Sequence, residues 1–150
     1  VRGEDAAVRV LGIDFGDRNI GLALSDVLRM TSQPFGTYLF KNRPEEDALF
    51  FKDLVARQGI DEIVIGLPLR MDGSPGTRVD KTKVFARWLG AAVGLPVLFW
   101  DERLTTHQAH NVMQEQKVRT KDKRAVVNQI SAAIILQGYL DSRRPDADLR

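Results

Sequence analysis

The stretch "VLGIDFGDRNIGLALSD", Val10 to Asp26, constrains the fold of this chain more than any other. Two apolar runs, Val8 to Phe15 and Ile20 to Ser25, flank a short polar turn and read as the strands of one hairpin. The first run carries a carboxylate, Asp14, near its end. An ionised side chain withdrawn from water is costly unless it is paired, hydrogen-bonded or bound to a metal, so Asp14 calls for a specific partner.

A third β-like run covers Phe35 to Phe40, and connections this short favour an antiparallel meander. The period then changes. "RPEEDALFFKDLVARQG" places Ala48, Phe51, Leu54 and Val55 at helical spacing, with acids in the first turn and Gly59 just past the end. "DEIVIGLP" follows as a buried strand, "LRMDGSPGTR" as a loop, then a second helix ending near "GAAVG", and "LPVLFWDE" as the next strand. Strand, helix, strand implies a parallel pair joined by a right-handed crossover. Thr105 with Gln108 fits a capping box, predicting a helix from Thr106 to about Gln116. Asp122 is placed to cap a last helix running to about Ser142. The order describes an α/β fold of the ribonuclease H-like class: a mixed five-stranded sheet, three antiparallel strands and then parallel ones, with helices on both faces. Ligands of such sheets bind beyond the carboxyl ends of the parallel strands.

With 150 residues, 43% of them hydrophobic, the chain is expected to form one domain over residues 1–150, with 1–7 and 143–150 as frayed ends. It contains no cysteine, which excludes disulfides, thiolate zinc and a cysteine nucleophile, and fits the cytoplasm. No apolar run approaches the roughly 20 residues that span a bilayer, so a membrane is not an expected partner. The net charge of +2 says little about nucleic acid, but the charge is concentrated. "KVRTKDKR" sets Lys117, Arg119, Lys121, Lys123 and Arg124 against one acid, Asp122. Taken alone, such a run is an ordinary solvated loop; beside a catalytic site it supplies phosphate affinity.

Asp14 ends one strand, and Asp101 and Glu102 end the last parallel strand. If these strands are neighbours with like ends together, two carboxylates meet at one rim, and a divalent cation relieves their repulsion. Alternation along a strand turns Asp101 and Glu102 to opposite faces, so one of them is expected to be the ligand; spacing does not choose between them. On the last helix, positions 128, 132 and 135 share a face, and its polar member, Asn128, offers an amide oxygen without a charge.

"GIDFGDRNIGLALSD", "IVIGLPLRMDGSPG", "DERLTT" and "NQISAAIILQGYL" together resemble the four signature blocks of the YqgF/RuvX family, described as Holliday junction resolvases with a ribonuclease H-like fold. The resemblance covers roughly residues 8 to 141. It implies a nuclease that hydrolyses phosphodiester bonds, using magnesium or manganese, with two ions about 3.5 to 4 Å apart. Its three acids correspond to Asp14, Glu102 and position 128, so the resemblance selects Glu102 over Asp101. This chain departs from the family there, with Asn128 in place of an aspartate. The departure implies weaker metal binding and slower turnover. The implied substrates are branched DNA, by the family's name, or ribosomal RNA precursors. Paired cuts in a junction require a two-fold dimer, whereas a processing nuclease can be a monomer, so a monomer or a homodimer is expected.

Around that rim, Arg18 at the hairpin tip and Arg70, Ser74 and Arg78 in and after the "LRMDGSPGTR" loop are candidate phosphate contacts, aided by the following helix N-terminus. Gly16 and Gly21 permit close backbone approach. His107 and His110, three apart with no further ligand motif, read as helix-face residues, and Trp88 and Trp100 as core or core edge. Two other functions compete. A non-catalytic nucleic-acid-binding protein follows if Asn128 abolishes cleavage. Actin-like nucleotide binding shares the sheet topology but needs a second such domain.

Overall fold

The computed structural model describes residues 8–70, 72–73, 76–104 and 123–143, including the side chains of all but 123–125. Strands β1 (Arg9–Phe15), β2 (Asn19–Ser25) and β3 (Ser32–Leu39) are followed by helix α1 (Pro44–Gln58), β4 (Ile60–Leu67), α2 (Thr77–Val93), β5 (Val97–Asp101), a 3-10 turn (Glu102–Leu104) and α3 (Lys123–Ser142). The strands form one five-stranded sheet in the order β3-β2-β1-β4-β5. β1, β2 and β3 pair antiparallel, and β1 with β4 and β4 with β5 pair parallel, as the hairpin and crossover patterns predict.

Side-chain alternation along β1 divides the core. Leu11 and Ile13 join Leu22, Ile63, Ile65, Phe51, Phe85 and Leu89 under α1 and α2. Val10 joins Ala23, Val64, Ala132, Leu136 and Tyr139 under α3 on the other face. α1 starts at Pro44 and stops at Gly59, whose left-handed φ of 64° lets its N–H donate to the carbonyl of Val55. Buried Asp47 ties that helix start to the sheet, accepting from the Tyr38 hydroxyl at 2.5 Å and the Arg43 amide at 3.0 Å.

Two boundaries differ from the sequence reading. β3 begins at Ser32, three residues before Phe35. The Ser32 hydroxyl donates to the carbonyl of Ala133 at 2.6 Å and its amide donates to Gln137 Oε1 at 2.9 Å, so α3 holds the extra residues in line. Pro34 is tolerated within it because β3 is an edge strand. β5 ends at Asp101, and Glu102 opens the 3-10 turn, so the two acids are not strand neighbours in simple alternation. The expected helix from Thr106 to Gln116, the basic run as far as Asp122, and both expected frayed ends lie outside the described residues, apart from Arg143. Among the described residues no helix is long and apolar enough to cross a membrane.

Candidate active site

Asp14 projects from β1 on the α3 side, and its register partner on β2 is Gly21. A Cβ at Gly21 would lie 2.0 Å from the carbonyl oxygen of Asn128, so glycine there lets the first turns of α3 rest directly on the sheet. The close backbone approach that Gly21 permits is made here by the helix. Gly66 on β4 plays the same part for the other acid, since a Cβ there would sit 2.8 Å from Glu102 Oε2. Sheet glycines thus bring Asp14, the Glu102 carboxylate and Asn128 to one rim at the carboxyl ends of β1, β4 and β5. The expected face of α3 is observed: Ala132 and Ile135 are buried and Asn128 is half-buried above the sheet.

Burial disfavours the ionised form of both acids. Burial pushes the Asp14 carboxyl up to about 6, with the Arg78 guanidinium opposing it. Burial and then the neighbouring Asp14 charge push Glu102 up to about 7, again opposed by Arg78. Asp101 behaves in the opposite way. Arg103 reaches back to it, Nη2 lying 2.6 Å from Oδ2 and Nε 3.0 Å from Oδ1, and these bonds hold the carboxyl below its usual range. Asp101 is therefore spent on orienting Arg103, while Glu102 faces Asp14.

The carboxylate donors at this rim, Asp14 and Glu102, are hard oxygens, which suit magnesium or manganese. The like-charged pair also has the mutual repulsion that such a cation would relieve. Among the described residues no group of three or more His, Asp or Glu side chains is placed to hold an ion, and position 128 carries an asparagine.

The candidate phosphate contacts divide. Arg78 on the first turn of α2 donates to the Phe15 carbonyl at 2.7 Å and faces Asp17 at 3.6 Å, so it braces β1 as well as facing the acids. Arg18 is exposed at the hairpin tip, and its carbonyl accepts from the Phe40 amide at 2.7 Å. Arg70 is exposed and lies against Gly76 at the start of α2. Ser74, Lys117, Arg119 and Lys121 fall outside the described residues, as do His107 and His110; Lys123 and Arg124 open α3. Arg103 was missed by the sequence reading, although its place one residue after the acid pair was a usable signal. Gly66 was missed too; a glycine inside the β-branched run "IVIGLP" marks a close approach.

A family profile described as RuvX, Holliday junction resolvase, matches residues 8–142. A protein of Moorella thermoacetica, named as a candidate pre-16S rRNA nuclease, is 46% identical over 134 residues, covering 89% of this chain and 95% of its own. A Halothermothrix orenii protein of the same name is 42% identical over the same shares of the two chains. Among solved structures, Thermus thermophilus RuvC in complex with a Holliday junction substrate matches with a TM-score of 0.53 and 13% identity, over 91% of this chain and 95% of that one. That likeness establishes the ribonuclease H-like fold.

Proposed function

The chain belongs to the RuvX family of Holliday junction resolvases, and from that premise we propose that it is a divalent-metal-dependent nuclease cutting phosphodiester bonds in branched DNA or structured precursor rRNA, slowed by Asn128. The observation that carries this reading is the pair of raised-pKa carboxyls, Asp14 and Glu102, brought face to face at the sheet rim beside Asn128. The same two acids are the ones that the family resemblance implies, and the relatives' names favour RNA over a junction.

Asp14 and Glu102 would hold magnesium or manganese, one ion or two, with Asn128 offering a neutral oxygen. When bound, such ions activate water and offset charge at the scissile phosphate. The remaining work falls to the chain. Arg78 faces both acids and would hold a phosphate oxygen at the rim, with Arg18 at the hairpin tip and Arg70 beside the start of α2 as further phosphate contacts. Ser74, Lys117, Arg119, Lys121, Lys123 and Arg124 add contacts to the backbone and a steep salt dependence, without reading bases. An aspartate at position 128 would add the charge that this donor set lacks, so restoring it should raise turnover.

The test is cleavage of a four-way DNA junction and a structured RNA, side by side with manganese, by this chain and by Asn128→Asp. The variant should cut at least about tenfold faster, one charge-assisted contact being worth that much. The preferred substrate then names the function and, if it is the junction, calls for a dimer. A parent chain faster than the variant contradicts the reading. Binding without cleavage by either protein leaves a non-catalytic nucleic-acid-binding protein.

A further inference from the structure

On the sheet face opposite Asn128, the same rim opens into a cavity of about 260 Å³ walled by Phe15, Phe40, Phe85 and Trp88, with Val84 and Lys81 at its mouth and Asp47, its carboxylate bonded to the Tyr38 hydroxyl and the Arg43 amide, also in its lining. Phe15 directly follows Asp14 in β1, so one backbone step separates the acid rim from this aromatic slot. The rings brace one another: Phe15 stacks on Phe85 with centroids 4.4 Å apart, and Phe40 meets Phe85 and Trp88 edge-on at 5.7 and 6.4 Å. Their packing fixes the walls without filling the space between Phe40, Val84 and Trp88. Trp88 is thus core edge, as its sequence setting implies, and also a wall of an open slot.

Charge leads from the acids to the slot. Arg78, Lys81, Phe85 and Trp88 succeed one another along one stripe of α2, cations nearest the rim and aromatics below. Arg78 to Phe85 spans about 10 Å of helix, a distance that one or two nucleotides of extended strand can cover. Lys81 and Arg78 both reach toward Asp17 on the hairpin, at 3.8 and 3.6 Å, from exposed positions that leave them open to a phosphate. Val84 is 63% exposed at the mouth, so the slot opens to solvent past an apolar side chain.

We propose that this slot receives an unpaired base of the nucleic acid whose neighbouring phosphate lies at the Asp14–Glu102 rim, with Lys81 on the intervening backbone. The proposal rests on the nuclease reading for the position of that phosphate. An aromatic-walled slot beside cations takes any base by its π-face and so selects single-stranded or flipped nucleotides, not sequence. It adds to the backbone contacts a preference for substrates with an unpaired nucleotide next to the cut, which a continuous duplex does not offer.

The test uses Val84→Trp, which places a ring over the mouth from an exposed helix position, with Val84→Ala as the variant that leaves the mouth open. A short single-stranded oligoribonucleotide carrying one 2-aminopurine, and the duplex made from it, are titrated in EDTA while the fluorescence of the base is followed. The parent and Val84→Ala should quench the base. Val84→Trp should bind the single strand about tenfold more weakly, with the quench lost and duplex binding unchanged. Equal binding and equal quenching by parent and Val84→Trp overturn the proposal, as does the absence of any quench by the parent. Manganese-dependent cleavage of the same strands separates the two readings. A parent that cuts but shows no slot effect keeps the nuclease and loses the slot; one that quenches in a Val84-dependent way without cutting keeps the slot and loses the nuclease.

Discussion

The two faces of the sheet are built on opposite principles. Under α1 and α2 the strands present Leu11, Ile13, Leu22 and Ile65 to Phe51, Phe85 and Leu89, large side chains in a continuous apolar layer. Under α3 the corresponding positions toward the rim are Gly12, Asp14, Gly21 and Gly66, and the helix answers with Ala132 and its own backbone. The first face lowers the free energy of the fold by burying area; the second gives up side-chain volume so that a helix can carry Asn128 down beside two acids. Both faces bury apolar side chains, but at the rim they part across one β-strand, with Ile13 turned into the core under α1 and α2 and Asp14 toward α3.

Substitutions should tell the faces apart. Phe51→Ala, at a side chain with no exposure, should cost about 4 kcal/mol in urea unfolding while the folded fraction keeps its manganese affinity. Gly21→Ala adds only a methyl group but drives it into the Asn128 carbonyl; it should cost about 2 to 3 kcal/mol and weaken manganese binding as well, because α3 must lift off the rim. If Gly21→Ala lost stability but kept full metal affinity, the glycine platform would be packing alone.

Charge gives a smaller effect of opposite sign. Asp14 is raised from 3.8 to about 6 and Glu102 from 4.5 to about 7, so between about pH 4 and pH 7 the folded chain holds protons that the unfolded chain has released. Stability of the metal-free protein from these two groups is therefore greatest below about pH 4 and falls as pH rises toward 7. Glu102→Gln should flatten that slope and make the metal-free protein about 1 kcal/mol more stable at pH 7.5, after allowance for screening by water at the rim. A variant less stable than the parent there would show that Glu102 is a structural partner. Smallest of all, Arg57→Ala removes an exposed pair with Asp53 on α1, and its melting curve should overlay that of the parent.

Much of the apolar face was legible in the sequence because burial leaves a periodic trace: the helix at 44–58 and the strands at 60–67 and 97–101 follow from spacing and from Gly59 and Gly94 as stops. The rim was legible only in part. Asp14 stood out as a charge in an apolar strand, but its partner could not be chosen from Asp101 and Glu102 because the strand ends between them and a 3-10 turn replaces alternation. That Arg103 occupies Asp101 is a side-chain event without a periodic signature. Gly66 has no side chain to read, and its meaning exists only once Glu102 is placed above it. The aromatic slot was hidden for a related reason: Phe15, Phe40, Phe85 and Trp88 come from three separate segments and look like core residues one at a time.

The central claim is that Asp14 and Glu102 face each other to bind a divalent cation that Asn128 holds poorly. Calorimetric titration of manganese into the parent, Asn128→Asp and Asp14→Asn at pH 7.5 tests it most directly. Weak binding by the parent, about tenfold tighter binding by Asn128→Asp and none by Asp14→Asn is the predicted result. Manganese bound equally by all three would place the ion elsewhere and leave the rim without its purpose.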